Sequence, residues 1–275
     1  MNVKIYQIFY DEVTRGRLDP GFIPLDNRDP QVKGWYEFWP ILNFLNNQKL
    51  DEGDWYGFLS PKFESKIGLR SEDLVELIEQ NSSRADVLLL SPEWDQISYF
   101  INVFEQGELC HPGLTSLSQN FLDSAGIEIK LDRAVMDCSN SVFSNYIIAK
   151  KDYWERWREY ANLFFEYVNL RSEYNKEVGG IFYSTYPMKA FIQERLASIV
   201  LTKTAFSTIN VDQSEWGPVN TFLFEDSQET RKLLRECNEL KSQYRRTGDG
   251  LYLSQYWDVR SKVNIKDLAF LSNKQ

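Results

Sequence analysis

Histidine and cysteine are almost missing from this chain of 275 residues, which holds one His and three Cys. A zinc centre built on several imidazoles is thereby excluded, and so is any mechanism that needs two of them. Cys110, Cys138 and Cys237 are odd in number, far apart and without Cys-x-x-Cys spacing, so they support neither a disulfide framework nor a thiolate metal site. No apolar run approaches the roughly 18 residues of a membrane span. Residues 1–10 are too short in their apolar part for a signal peptide and run straight into acids, so the expected location is the cytoplasm. Positive charge is also in deficit, with a formal net charge of -9. Such a surface opposes non-specific association with nucleic acid, which is not expected as a partner. Gly (14) and Pro (9) are scarce, and with 43% apolar residues the composition is that of an ordinary globular protein. There is no Gly-x-x-x-x-Gly-Lys phosphate loop, no Gly-x-Gly-x-x-Gly after a strand and no Gly-x-Ser-x-Gly elbow. Kinase, dehydrogenase and α/β-hydrolase readings lose their main support.

Aromatic residues, by contrast, are abundant at 15%, with 8 Trp and 15 Tyr. Tyr and Trp combine a large apolar body with a polar edge, which suits sugars as well as a core. The most informative segment is Ala85-Asp86-Val87-Leu88-Leu89-Leu90-Ser91-Pro92-Glu93-Trp94-Asp95. Its apolar run at 87–90 predicts a buried strand, stopped by Ser91-Pro92 because proline has no N–H for a sheet. Two carboxylates, Glu93 and Asp95, follow at the strand's carboxyl end, where open α/β sheets bind ligands.

The rest of the chain alternates. Residues 3–9 predict a first strand, 17–34 a long loop, 35–47 a buried helix, 55–59 a strand ending in Ser60-Pro61-Lys62, and 71–80 a helix capped by Ser71. Residues 96–104 predict a helix, 105–113 a polar loop, 114–125 a helix and 142–149 a strand. A long amphipathic helix follows at 152–174, then a short strand or turn at 179–183, a helix at 187–201, a strand at 204–210 and a helix at 226–244. Strand–helix–strand alternation argues for a doubly wound, parallel α/β sheet. A boundary is expected near Gly217-Pro218, giving a catalytic domain over 1–217 and a helical appendage over 218–275.

Several residues suit group transfer. Glu93 and Asp95, two apart on an extended turn, face one side and could share a hard cation, manganese or magnesium, with substrate phosphates. Glu194 and Arg195 sit beside an apolar helical face, where a carboxylate suits a general base or a structural ion pair. His111, in a loop, and Lys62, at a strand end, would meet phosphates. Gln7, Tyr10 and Asp11 end the first strand and would line a nucleotide site. Asn140 and Asn145 offer amides to sugar hydroxyls or serve turns. Arg245-Arg246 provides either solvated surface or a peripheral contact with anionic lipid headgroups.

Longer phrases resemble bacterial polysaccharide glycosyltransferases: Lys4-Ile5-Tyr6-Gln7-Ile8-Phe9-Tyr10, Leu18-Asp19-Pro20-Gly21-Phe22-Ile23-Pro24-Leu25-Asp26-Asn27, Tyr36-Glu37-Phe38-Trp39-Pro40-Ile41, Tyr56-Gly57-Phe58-Leu59-Ser60-Pro61-Lys62-Phe63, Asn102-Val103-Phe104-Glu105-Gln106-Gly107-Glu108 and Glu194-Arg195-Leu196. The chain is most similar in these phrases to the galactofuranosyltransferase module of bifunctional O-antigen polymerases, over roughly its first four fifths. That resemblance implies a GT-A-like, Rossmann-like α/β fold with a mixed sheet flanked by helices. It also implies a UDP-sugar donor and a lipid-linked glycan acceptor in lipopolysaccharide synthesis. The family's Asp-x-Asp metal motif would fall at Glu93-Trp94-Asp95, where the first acid is Glu and Pro92 precedes it. By position, the late-helix base would be Glu194. The expectation is therefore an inverting hexosyltransferase, with Asp95 and Glu93 orienting donor or metal and Glu194 as base. This requires residues 93–95 and 194 to serve one cleft. The alternatives are a retaining UDP-hexose transferase of the same fold and a catalytically silent glycan-binding or assembly subunit. The oligomeric state is not legible in the sequence.

Overall fold

Short runs of β-branched and aromatic residues, punctuated by Ser, Pro, Gly and Asp, become strands. The computed structural model describes residues 1–91, 93–179 and 185–266. Among these are β1 (Val3–Phe9), β2 (Ile23–Asp26), β3 (Trp55–Leu59), β4 (Val87–Leu89), β5 (Ile147–Lys150), β6 (Glu177–Gly179), β7 (Thr185–Pro187) and β8 (Thr208–Asn210). Six of them form one sheet in the order β2-β1-β3-β5-β4-β8. The first three are parallel, β5 runs antiparallel to both β3 and β4, and β8 returns parallel to β4. The expected α/β class with helices on the sheet holds, and the sheet is mixed, as the resemblance implies, and not wholly parallel, as the alternation alone argued. The connection from β4 to β5 runs through three helices, Trp94–Tyr99, Val103–Cys110 and Leu114–Ser124, and then an irregular stretch, and it returns the chain antiparallel to β4. The expected strand at 142–149 shrinks to β5, and the loop expected at 17–34 contains the edge strand β2. The segment expected at 179–183 lies, beyond Gly179, outside the described residues, as does Pro92.

The chain divides into two compact units along a different line from a single cut at 217. One is formed by 1–92, 142–177 and 186–211, the other by 93–141, 178–185 and 212–275. The sheet belongs to the first. Helix Lys151–Asn169 buries Tyr153, Trp154, Trp157, Tyr160, Ala161, Phe164 and Val168, a stripe at helical spacing. It packs on helices Phe38–Asn47 and Leu196–Lys203. Trp154 ties it to the sheet by donating its indole N–H to the Tyr56 carbonyl at 2.9 Å. Pro40 sits in the first turn of Phe38–Asn47, where a missing N–H costs no helical bond. A second cluster joins Ile5, Leu59, Leu88 and Ile148 to Phe63, Ile67, Leu74 and Ile78. Ser71 does not cap its helix; Arg70 holds that position, and the Ser71 hydroxyl donates to Asp19 at 2.7 Å. Much of the aromatic surplus is core: Trp35, Trp55 and Trp157 are all buried.

The second unit is helical. Trp94–Tyr99 and Val103–Cys110 replace the single helix expected at 96–104 and most of the loop expected at 105–113. The break comes from Asn102, whose carboxamide oxygen accepts from Phe104 N (2.9 Å) and Glu105 N (2.8 Å) and so starts a new helix. Gln228–Thr247 and Gly250–Arg260 pack on each other, and the former on Trp94–Tyr99. Lys241 is fully buried, its ammonium donating to the carbonyls of Phe100 at 2.6 Å and of Ile97. Burial pushes its pKa down to about 8 from 10.5.

Two outcomes follow from this packing. Gly57 faces Ile148 across the β3–β5 pair, and a Cβ there would lie 2.9 Å from Ile148 Cγ1. Gly57→Ala is expected to lower unfolding free energy by about 1–3 kcal/mol in urea titrations. For Lys241, the unfolded chain holds a proton between about pH 8 and 10.5 that the folded chain has released. Rising pH through that window therefore favours the fold, and below pH 8 the contribution is flat. In urea titrations the stability of wild type relative to Lys241→Met should rise from pH 8 to pH 10.

Candidate active site

The strand order places a topological switch between β1 and β3, because the chain leaves β1 for β2 on one side and returns to β3 on the other. In open α/β sheets the crevice outside the carboxyl ends at such a point is where ligands bind. Tyr10 follows β1 and Ser60 follows β3. The antiparallel β5 brings the residue before it, Tyr146, to the same edge, where its hydroxyl and that of Ser60 are 2.6 Å apart. The Tyr146 backbone is held by Leu90 N at 3.0 Å.

Two carboxylates act on these tyrosines. Burial raises the Tyr10 pKa, and the Glu37 carboxylate, hydrogen-bonded to its hydroxyl, raises it further. Burial likewise raises that of Tyr146, which Glu37 and Glu194 both push up by their charge. Tyr10, Glu37, Ser60, Tyr146 and Glu194 thus form one electrostatic neighbourhood. Glu194 lies where the helix expected at 187–201 breaks into Met188–Gln193 and Leu196–Lys203. Backbone strain gathers here as well. Of the four non-glycine residues with positive φ among the described residues, Tyr36 (44°) precedes Glu37, and Ser144 (60°) and Asn145 (55°) precede Tyr146. Such conformations cost free energy and cluster at functional sites. At the rim, Lys66 donates to the Ser144 hydroxyl at 2.9 Å, and Lys62 is exposed.

The other expected residues of this unit mostly brace it. Gln7 is buried, donating to the Ser60 carbonyl at 3.2 Å and accepting from Asp19 N at 2.9 Å. Asp11 caps the short helix Glu12–Arg15, and its hydrogen bonds from Thr14 hold its pKa down. Arg195 is buried and donates to the Phe191 carbonyl at 2.6 Å. Asn145 is buried with an unpartnered Oδ1 among the described residues.

Glu93, Asp95, His111 and Asn140 belong to the helical unit. Asp95 is 1% exposed, and its two oxygens accept from Gln96 N at 2.9 Å and Asn220 N at 2.6 Å. Burial pushes its pKa up against the pull of those amides. Glu93 is exposed, with φ 68°, and accepts from the Gln96 carboxamide at 2.9 Å. A carboxylate sealed in the core and committed to backbone amides does not fit a metal ligand. Among the described residues no group of three His, Cys, Asp or Glu could hold an ion. His111 is buried at the end of helix Val103–Cys110, its Nδ1 3.1 Å from the Gly179 carbonyl. Asn140 closes a turn by accepting from Asp137 N at 2.9 Å. Arg245 is exposed, as expected, and also pairs with the buried Asp137. Sequence reasoning missed Glu37, Ser60 and Tyr146 as site residues. The Ser-Pro stop after β3 pointed at Ser60, whereas nothing local marked Glu37, which acts through a fold-dependent approach to Tyr10.

No family model matches the chain, and no curated protein matches it. A solved structure described as the apo form of the WbbM bifunctional glycosyltransferase is similar over 76% of this chain, at 16% identity and a TM-score of 0.48. The match spans 44% of that structure's length. Among the described residues, no helix is long and apolar enough to cross a membrane.

The Asp95 contacts lead to a stability prediction. Asp95→Asn would turn one acceptor into an N–H that faces a backbone N–H. The expected loss is about 1–3 kcal/mol of unfolding free energy, read by urea titration.

Proposed function

We propose that this chain is a GT-A-like glycosyltransferase that moves a hexose, galactofuranose by the resemblance of its phrases, from a UDP-sugar to a lipid-linked glycan of a bacterial surface polysaccharide, with inversion. The observation that carries the reading is the pair of carboxylates, Glu37 and Glu194, acting on Tyr146 outside the carboxyl ends of β1 and β3. A crevice with two carboxylates and two tyrosine hydroxyls is rich in acceptors for sugar hydroxyls, and it holds a base.

Inversion is a single displacement. The acceptor oxygen attacks the anomeric carbon, its proton passes to a carboxylate, and the bond to the diphosphate breaks. Glu194 takes that proton in this scheme, at a helix break where its backbone is anchored at both sides. Tyr10 and Glu37 hold donor hydroxyls, and Asn145 offers its unpartnered Oδ1 to another. Lys62, exposed at the end of β3, offsets charge on the departing diphosphate. Gln7 and Asp11 position the β1 edge. Asp95 and Glu93 are left a structural part, and Arg246 a peripheral contact with anionic headgroups.

A panel of UDP-sugars with a glycan acceptor tests the reading by UDP release. One donor should be consumed, with an inverted anomeric centre by NMR. Glu194→Gln keeps size but removes the base and should lower kcat/KM by about 10²–10⁴-fold. Transfer at the native rate by that variant would remove Glu194 from the role. No turnover of any donor would favour a silent glycan-binding subunit.

A further inference from the structure

Helix Met188–Gln193 carries two buried polar side chains whose bonding capacity is only partly used. Lys189 is 7% exposed and Gln193 2%. Four residues apart on one helix, they lie on the same face. The Lys189 ammonium sits 4.6 Å over the Trp35 ring. Among the described residues no carboxylate pairs with it, and burial alone pushes its pKa down. Gln193 donates to the Trp35 carbonyl at 3.3 Å, while its Oε1 is buried and unpartnered. An unpaired donor and an unpaired acceptor therefore adjoin the same residue.

The surroundings add a glycine and two exposed rings. Gly34, at φ 74°, stands beside the ammonium without a side chain; a Cβ there would come within 3.6 Å of Lys189 Nζ. Tyr36 follows Trp35, and Tyr186 precedes Lys189 by three residues; their rings meet at 5.5 Å, edge to face. Both are exposed, at 39% and 38%. A buried ammonium without a counter-ion is costly, and a bound anion removes that cost. Exposed tyrosine faces offer an apolar platform with polar tips.

We propose that Lys189, Gln193 and the Tyr36–Tyr186 pair form a subsite for a sugar ring that bears an oxyanion, either a carboxylate or a phosphate. The ammonium donates to the oxyanion, Gln193 Oε1 accepts from a ring hydroxyl, and the tyrosines cover the ring. The sugar in this proposal rests on the transferase reading; the charge requirement rests on Lys189 alone.

The test is binding, measured by calorimetry at low salt on the full chain, with D-glucuronate, D-glucose 1-phosphate and D-glucose as probes. At least one anionic probe should bind about tenfold tighter than glucose, roughly 1.4 kcal/mol. Which anion wins tells carboxylate from phosphate. Lys189→Met keeps the packing on Trp35, removes a lone buried charge, and should melt no lower than wild type while losing the preference for anions. Tyr186→Ala, at an exposed site, should weaken all three probes. Equal binding of glucose and the anions, undiminished anion binding by Lys189→Met, or no binding of either anion would overturn the subsite. Anion binding in a protein that consumes no UDP-sugar would leave the subsite standing and sink the transferase.

Discussion

The antiparallel seating of β5 against β3 is the constraint on which the sheet unit depends. It requires Gly57 opposite Ile148, because any side chain at 57 would occupy the space that Ile148 fills. Once β5 runs backwards, the residues that precede it arrive at the edge where the parallel strands β1 and β3 finish. Tyr146 can then reach Ser60, and its backbone carbonyl can accept from Leu90. A parallel β5 would deliver those residues to the opposite edge. The direction of one strand thus decides which residues populate that edge.

That edge concentrates negative charge in a protein already acidic. Glu37 and Glu194 both face tyrosines whose burial raises their pKa, so the phenols stay protonated and act as donors. Positive charge stands at the rim, at Lys62 and Lys66, and farther along the same unit at Lys189. Acceptors inside and cations outside suit a substrate with hydroxyls at one end and phosphates at the other. The strained backbone at Tyr36, Ser144 and Asn145 is held by dense neighbours: Trp35 before Tyr36, and β5 after Asn145.

Strands were the most legible part of the sequence where apolar runs met clear punctuation. β1 and β3 match their expected bounds because Ser-Pro or acidic residues stop them. The helix at 96–104 was misplaced because aromatic periodicity continues across Phe100 while the cap at Asn102 breaks it, a local competition that hydrophobic pattern does not register. The reversal of β5 was illegible because strand direction depends on pairing partners far along the chain. Among site residues, Tyr10 and Glu194 were reached from position and chemistry. Glu37 and Tyr146 were not, since each gains its place only from the packed sheet. Asp95 shows the reverse: an acid after a strand carried a chemical signal, yet its carboxylate ties backbone amides at Gln96 and Asn220.

The helical unit is assembled from pieces remote in the chain, and this has a consequence for biosynthesis. Trp94, Tyr99 and Phe100 are made first, but the residues that cover them, Val219, Leu223, Phe224, Leu234 and Val263, are made more than a hundred codons later. Over that interval those aromatic faces lack most of their native cover. Nascent chains in that interval present sticky surface to each other and to chaperones, so folding yield is sensitive to the speed of elongation and to crowding of ribosomes on one message.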